Sequence, residues 1–164
     1  MPITTRTAVP SDLAAIVAVY NQAVAVNATG HLDAVTVDDR RHWFESHTAS
    51  YPILIAALDD ELVGWSSFSS YRPGRGALRH TAELSYYVHA AYLRRGVASA
   101  LIARSIEMCG ALAFNTLFAI LLDDNFASIT LLKKFGFEQW GHMLDVADFD
   151  GRKVGHLYYG LRIL

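Results

Sequence analysis

The sequence predicts an α/β (α+β) fold, a mixed sheet covered by helices, and three observations lead there. Short apolar runs of strand length alternate with longer runs whose apolar residues recur at helical spacing. Two of the strand runs, 52–58 and 62–69, are separated only by the polar turn Asp59-Asp60-Glu61 and read as a hairpin. Residues 83–101 read as a strand, a short basic turn with one glycine, and a helix rich in small and apolar residues. At 164 residues, 52% hydrophobic and 18% charged, the chain suits one domain, 1–164, with a substantial core.

Residues 3–8 form a short first strand. Pro10-Ser11-Asp12 starts a helix, with Ser11 or Asp12 as its cap. Leu13, Ile16, Val17 and Tyr20 repeat at helical spacing and mark its buried face. A polar loop, 27–33, leads to a second helix opened by Thr36-Val37-Asp38-Asp39 and carrying Trp43 and Phe44. On the returning strand of the hairpin, Trp65 and Phe68 are three residues apart and so point to opposite faces. The loop 70–80 holds Arg72, Arg75 and Arg79. Then come a central strand 81–89, a helix 96–110 and an apolar strand 115–122. Asp123-Asp124-Asn125 turns into a helix 126–135, which stops at Gly136 as a C-terminal glycine should. Strands 137–149 and 153–161 flank a turn at Asp150-Gly151. The order β, α, α, β, β, β, α, β, α, β, β is that of a mixed sheet with helical cover.

Net charge is −2 and the pI is about 6.4, which lacks the concentrated positive field of a general nucleic-acid binder. There is no 18-residue apolar run to span a membrane and no apolar signal core near the N-terminus. The one cysteine, Cys109, cannot form an intramolecular disulfide; it reads as a small core residue in a reducing, cytoplasmic setting. Seven histidines occur without a His-Glu-x-x-His motif or a cysteine cluster, so no metal is expected.

The chemistry concentrates in 83–101. A helix beginning at Arg95-Gly96-Val97-Ala98 presents free backbone N–H groups, with Arg94 and Arg95 beside them, and so makes a phosphate or pyrophosphate site. The three spaced glycines of a dinucleotide fold are absent, as is the Gly-Lys-Ser or Gly-Lys-Thr of a nucleoside-triphosphate loop. A tight strand-to-helix connection with solvated arginines has the same spacing. Glu83, at the far end of the same strand, is a candidate general base; its structural alternative is a partner for a nearby arginine.

Several segments, taken together, resemble one family. They are Ala8-Val9-Pro10-Ser11-Asp12-Leu13 with Tyr20-Asn21, Arg41-His42-Trp43-Phe44, Tyr71-Arg72-Pro73, and Arg79-His80-Thr81-Ala82-Glu83. Tyr86-Tyr87-Val88, Asn125-Phe126-Ala127-Ser128 and Lys134-Phe135-Gly136-Phe137 complete the set. In order and spacing the chain resembles the GNAT acyltransferases, and more narrowly the phosphinothricin and methionine sulfone N-acetyltransferases. The resemblance implies a mostly antiparallel sheet of six to seven strands, about four helices and a splayed cofactor cleft. It implies acetyl-CoA as cosubstrate, with pantetheine on the backbone of Tyr86, Tyr87 and Val88. The pyrophosphate would rest on Arg94, Arg95, Gly96, Val97, Ala98 and Ser99, with Asn125 and Ser128 nearer the reacting end. Glu83 would take the proton of a primary amine, directly or through a water. Arg72, Arg75 and Arg79 would hold the carboxylate or phosphinate of a small amino-acid-like substrate. Either Trp65 or Phe68 would line the acceptor site. A homodimer is also implied. Alternatives are another amine (a polyamine, an aminoglycoside or a protein N-terminus) or a weakly catalytic acyl-CoA-binding module.

The chain departs from the family pattern at four places. Leu93 stands where glutamine or arginine usually opens the pyrophosphate loop. Leu132 stands where a tyrosine or histidine can protonate the leaving thiolate. Lys153 and Gly155 stand where tryptophan and aspartate usually follow the last glycine-arginine turn. His31 takes the place of an aromatic residue in the early loop.

Overall fold

Alternation along the strands sets the layers. In the computed structural model, which describes residues 2–163, strand β2 (Ile53–Leu58) turns Ile53 and Ile55 to one face and Leu54 and Ala56 to the other, and all four are buried. The first pair packs with Ile16, Val19, Tyr20 and Val24 of helix α1 (Leu13–Ala25). The second packs with Leu101 and Ile102 of helix α3 (Val97–Met108) and with Leu132 of helix α4 (Phe126–Lys134). Helix α2 (Val37–Ser46) joins α1 on its face through Trp43 and Phe44.

The other strands are β1 (Thr4–Thr7), β3 (Glu61–Ser70), β4 (Thr81–Val88), β5 (Thr116–Leu122), β6 (Glu138–Phe149) and β7 (Arg152–Arg162). Their order across the sheet is β1-β2-β3-β4-β5-β7-β6. Neighbours are antiparallel except β4 and β5, which run parallel. This is the predicted mixed, mostly antiparallel sheet with four α-helices.

Local chemistry explains the helix starts, with one correction. A 3₁₀ turn, Pro10–Asp12, precedes α1, and neither Ser11 nor Asp12 caps that helix with its side chain. Asp12 reaches backwards instead, accepting from the Val9 N–H at 2.7 Å and from both ends of the Arg6 guanidinium at 2.7 and 2.9 Å. At α2, Thr36 Oγ1 accepts from the Asp39 N–H while Asp39 Oδ2 accepts from the Thr36 N–H, a reciprocal capping box. Gly136, at φ 83°, ends α4.

Two glycines permit close approach. A Cβ on Gly64 of β3 would lie 2.8 Å from Val97 Cγ1 and 2.9 Å from the Tyr87 carbonyl oxygen, so glycine lets the start of α3 settle onto β3 and β4. A Cβ on Gly160 of β7 would lie 2.0 Å from the Trp140 ring. Strand β6 forms one margin of the sheet. Its register with β7 shifts between Met143 and Ala147, and Leu144 and Val146 are exposed there. Among the described residues no helix is long and apolar enough to cross a membrane.

Candidate active site

Pairing between β4 and β5 covers only three positions: Thr81 with Thr116, Ala82 with Leu117, and Glu83 with Phe118. Beyond Glu83 the two strands diverge. From that point the β5-facing backbone groups of β4 have no ladder partner, and an interior cleft opens. Ser85, Tyr86 and Tyr87 line one wall and Ala119, Ile120 and Leu121 the other; Asn125, Ser128 and Leu132 close it from the α4 side. This cavity, about 60 Å³, shares Ala28, Leu122 and Asn125 with a wider hollow of about 440 Å³.

Side chains of β4 leave both faces of the sheet; Leu84, Ser85, Tyr86 and Tyr87 line the cleft, and Glu83, one residue before them, lines neither cavity. Glu83 and Tyr87 alternate to the α1–α2 face; Leu84 and Tyr86 alternate to the α3–α4 face. Glu83 is half-buried between its sheet neighbours Ser69 and Phe118. It forms no ion pair among the described residues, so the expected alternative of an arginine partner is not met. Burial pushes its carboxyl above the usual carboxylate range.

Next to Glu83 on that face lies a polar and aromatic network that the sequence reading missed. Tyr20 Oη bonds Thr29 Oγ1 at 3.0 Å and also His31 Nδ1; Thr29 Oγ1 lies 3.4 Å from Tyr87 Oη. The Arg40 guanidinium covers the Tyr20 and Trp43 rings at 4.7 and 4.4 Å. His31 thus occupies the early-loop position by packing edge-on to Tyr20. The clue available was the phenol of Tyr20: a hydroxyl on a buried helix face needs partners. Trp65 and Phe68 do point to opposite faces, but both are fully buried in the two cores, so neither forms an exposed acceptor wall.

At the other end of β4 the chain passes through a 3₁₀ turn, Ala90–Tyr92, into α3. Gly96 is its N-cap at φ 86°, and Arg94 before it is also left-handed at φ 61°. Ala100 N–H donates to the Gly96 carbonyl, so the N–H groups of Val97, Ala98 and Ser99 precede the first intrahelical donor and have no acceptor within the helix. Arg94 and Arg95 are exposed beside them, and Arg95 sits over the Tyr92 ring at 5.4 Å. Leu93 is exposed as well and takes no part in the core. At α4, Asn125 Oδ1 accepts from the Ser128 N–H at 3.1 Å. The cap holds the asparagine at the junction of both cavities.

Arg72, Arg75 and Arg79 are exposed on the loop after β3, and none lines either cavity. Arg79 Nη1 donates to the Gly76 carbonyl of its own loop at 2.9 Å. The loop starts beside the base candidate: Tyr71 packs edge-on to Phe118, the sheet neighbour of Glu83, at 5.1 Å between centroids. Gly155 has a structural cause. Its Cβ would lie 2.5 Å from both Asp123 Oδ2 and the Met143 carbonyl oxygen, because a His142–Asp123 pair fills that space. Among the described residues no cluster of three or more His, Cys, Asp or Glu is placed to hold a metal.

Comparison with known proteins matches this architecture. A profile of the acetyltransferase (GNAT) family matches residues 18–137. The L-methionine sulfoximine/L-methionine sulfone acetyltransferase of Pseudomonas aeruginosa (PAO1) is 35% identical over 156 residues, covering 93% of this chain and 90% of its own. The L-amino acid N-acyltransferase MnaT of Escherichia coli K12 is 34% identical over 160 residues, covering 96% and 92%. The crystal structure of a GNAT superfamily phosphinothricin acetyltransferase from Sinorhizobium meliloti, in complex with acetyl-CoA, superposes with a TM-score of 0.92. It is 27% identical and covers 99% of this chain and 89% of that one. With an interior cleft between parallel β4 and β5, a glycine-capped turn into α3 and a match over most of its length, the chain belongs to the GNAT acetyltransferase family.

Proposed function

We propose that the protein is an acetyl-CoA-dependent N-acetyltransferase acting on the primary amine of a small amino-acid-like substrate of the phosphinothricin or methionine sulfone type. One observation carries the reading. The β4–β5 ladder stops at Glu83, leaving an unpaired strand wall with an unpartnered carboxyl at its closed end and a helix N-terminus beyond its open end. A strand wall of free amide groups suits an extended pantetheine, which carries amides of its own. Tyr86, Tyr87 and Val88 supply that wall; Arg94, Arg95, Gly96, Val97, Ala98 and Ser99 supply the pyrophosphate site; Asn125 and Ser128 stand at the reacting end. Acetyl-CoA, when bound, supplies the thioester acyl group.

Glu83 acts as the base. Amines are mostly protonated at neutral pH, and attack needs the free pair on nitrogen. A carboxyl whose proton affinity burial has raised takes that proton more readily than an exposed one. Arg72, Arg75 and Arg79, on the loop that leads into β4, would meet the carboxylate or phosphinate of the substrate, and the kinship with acetyltransferases of methionine sulfone supports an acceptor of that kind. A homodimer is proposed too, supported by the apolar Trp140, Met143, Leu144 and Val146 exposed along strand β6.

The test is thiol release from acetyl-CoA over a panel of amines, with Glu83→Gln alongside. Release with methionine sulfone or phosphinothricin, and a loss of about 10²–10⁴-fold in kcat/KM for the variant at unchanged acetyl-CoA affinity, is expected. Release only with a polyamine, an aminoglycoside or a peptide N-terminus reassigns the substrate. Acetyl-CoA binding without release for any amine supports a binding module instead. Full activity in the variant removes Glu83 as base.

A further inference from the structure

We propose that Tyr86 is the proton donor to the leaving sulfur, replacing from β4 the donor that Leu132 cannot be. This rests on the reading of the cleft as the acetyl-CoA site. Three observations carry it. Leu132 is fully buried, lines the cleft and has no proton to give. Tyr86 lines the same cleft. Its Oη is buried and has no partner in full hydrogen-bond geometry among the described residues; the Ser128 side chain is the polar group beside it. Such a hydroxyl carries a free-energy cost until a partner arrives, and the cleft is the space from which one can come.

The other hydroxyls of the cleft are less suited. Tyr87 points to the opposite face, where Thr29 lies beside its Oη. Serine hydroxyls, as in Ser85 and Ser128, are far weaker acids than a phenol. Burial raises the Tyr86 phenol above its ordinary value, and the nearby Ser128 opposes this only in part, so the group is a protonated donor at neutral pH. The same surroundings penalise a thiolate, so transfer to sulfur is not opposed by desolvation of one partner alone.

The two faces of the sheet then divide the work. On the α1–α2 side Glu83 accepts the proton that the amine loses as its nitrogen bonds the thioester carbonyl carbon. On the α3–α4 side Tyr86 gives its proton to sulfur as the carbon–sulfur bond breaks and its electron pair passes to sulfur. Water returns a proton to the phenolate and takes one from Glu83, so the enzyme ends as it began.

Tyr86→Phe removes one oxygen and keeps the ring. CoA is bound to wild type and variant, and the pKa of its thiol in the complex is read from thiolate absorbance in the ultraviolet. A donor at sulfur stabilises the thiolate, so the variant's bound thiol titrates higher by about one pH unit. Its CoA affinity stays within about 3-fold, since one hydrogen bond is lost. Its kcat falls roughly 10- to 100-fold, with the amine KM unchanged. A lower kcat with an unmoved thiol pKa makes Tyr86 a packing residue and overturns the proposal. Unchanged kcat and pKa overturn it as well. Failure of the wild type to bind CoA is a separate result: it removes the cofactor reading on which the proposal stands.

Discussion

Gly64→Ala tests how the turn into α3, the proposed pyrophosphate site, is held. The added Cβ would lie 2.8 Å from Val97 Cγ1, 2.9 Å from the Tyr87 carbonyl oxygen and 3.3 Å from Leu101 Cδ1. Ordinary contacts begin near 3.4 Å, so Val97 must give by about 0.6 Å. It has little room, being β-branched and buried, and the Tyr87 oxygen belongs to the backbone of β4. The start of α3 must therefore retreat by about half an ångström, carrying the amides of 97–99 away from β4. Overpacking of this kind costs about 1–3 kcal/mol, which lowers Tm by about 3–10 °C in a domain of this size. Thermal melts give the first number, and calorimetric titration with acetyl-CoA gives a Kd weakened by about 3- to 10-fold through misplaced amides. Adding Val97→Ala relieves part of the clash, so the double variant loses less than the sum of the single ones. A single variant within about 0.5 kcal/mol of wild type and unchanged in Kd would refute the argument.

Other predictions follow from named groups. Glu83 holds a proton in the folded chain at pH values where the unfolded chain has released it, so stability falls as pH rises just above the ordinary carboxylate range. Glu83→Gln therefore raises Tm at neutral pH and leaves it nearly unchanged at strongly acid pH, as a melt series would show. Asp12 has the opposite sign: the Arg6 fork, aided by the Val9 N–H, holds its carboxyl below the usual range. Its contribution is present above the unfolded carboxylate value and is lost as pH falls through the folded one. Asp12→Asn costs about 1–2 kcal/mol near neutrality, discounted for the half-exposed Arg6, and converges with wild type in acid. Gly160→Ala drives a methyl into the Trp140 ring and costs about 1–3 kcal/mol in denaturant melts, accompanied by a change in tryptophan fluorescence.

Much of this was legible beforehand because spacing encodes it. The order of elements emerged from apolar periodicity, and strand and helix ends fell within a residue or two of their caps. Gly96 and Gly136 were placed correctly because a helix start and a helix stop each leave a local signature. What stayed hidden depends on contacts between distant segments. Gly64 and Gly160 look like any strand glycines until α3 and Trp140 are set against them. For Tyr86 the sequence points only to the backbone, because nothing in the order of residues shows that its hydroxyl lacks a well-placed partner. The network of Tyr20, Thr29, His31 and Tyr87 joins three separate stretches of chain. Position alone points Asp12 to the helix it precedes, whereas Val9 and Arg6 behind it make the nearer demand.

The divergence of β4 from β5 gives the sheet an edge in its middle as well as at its margins. Marginal edges invite other strands, and proteins blunt them against aggregation. An interior edge needs no such defence: three residue pairs pin it at one end, and helices cover both faces, so a foreign strand with bulky side chains has no way in. What suits it is thin and extended, with amides to meet the free backbone groups of β4. The cross-section of the gap would then select the partner. A molecule seated there serves as a surrogate strand, and slowed amide exchange along β4 would be the sign that the ladder had been completed.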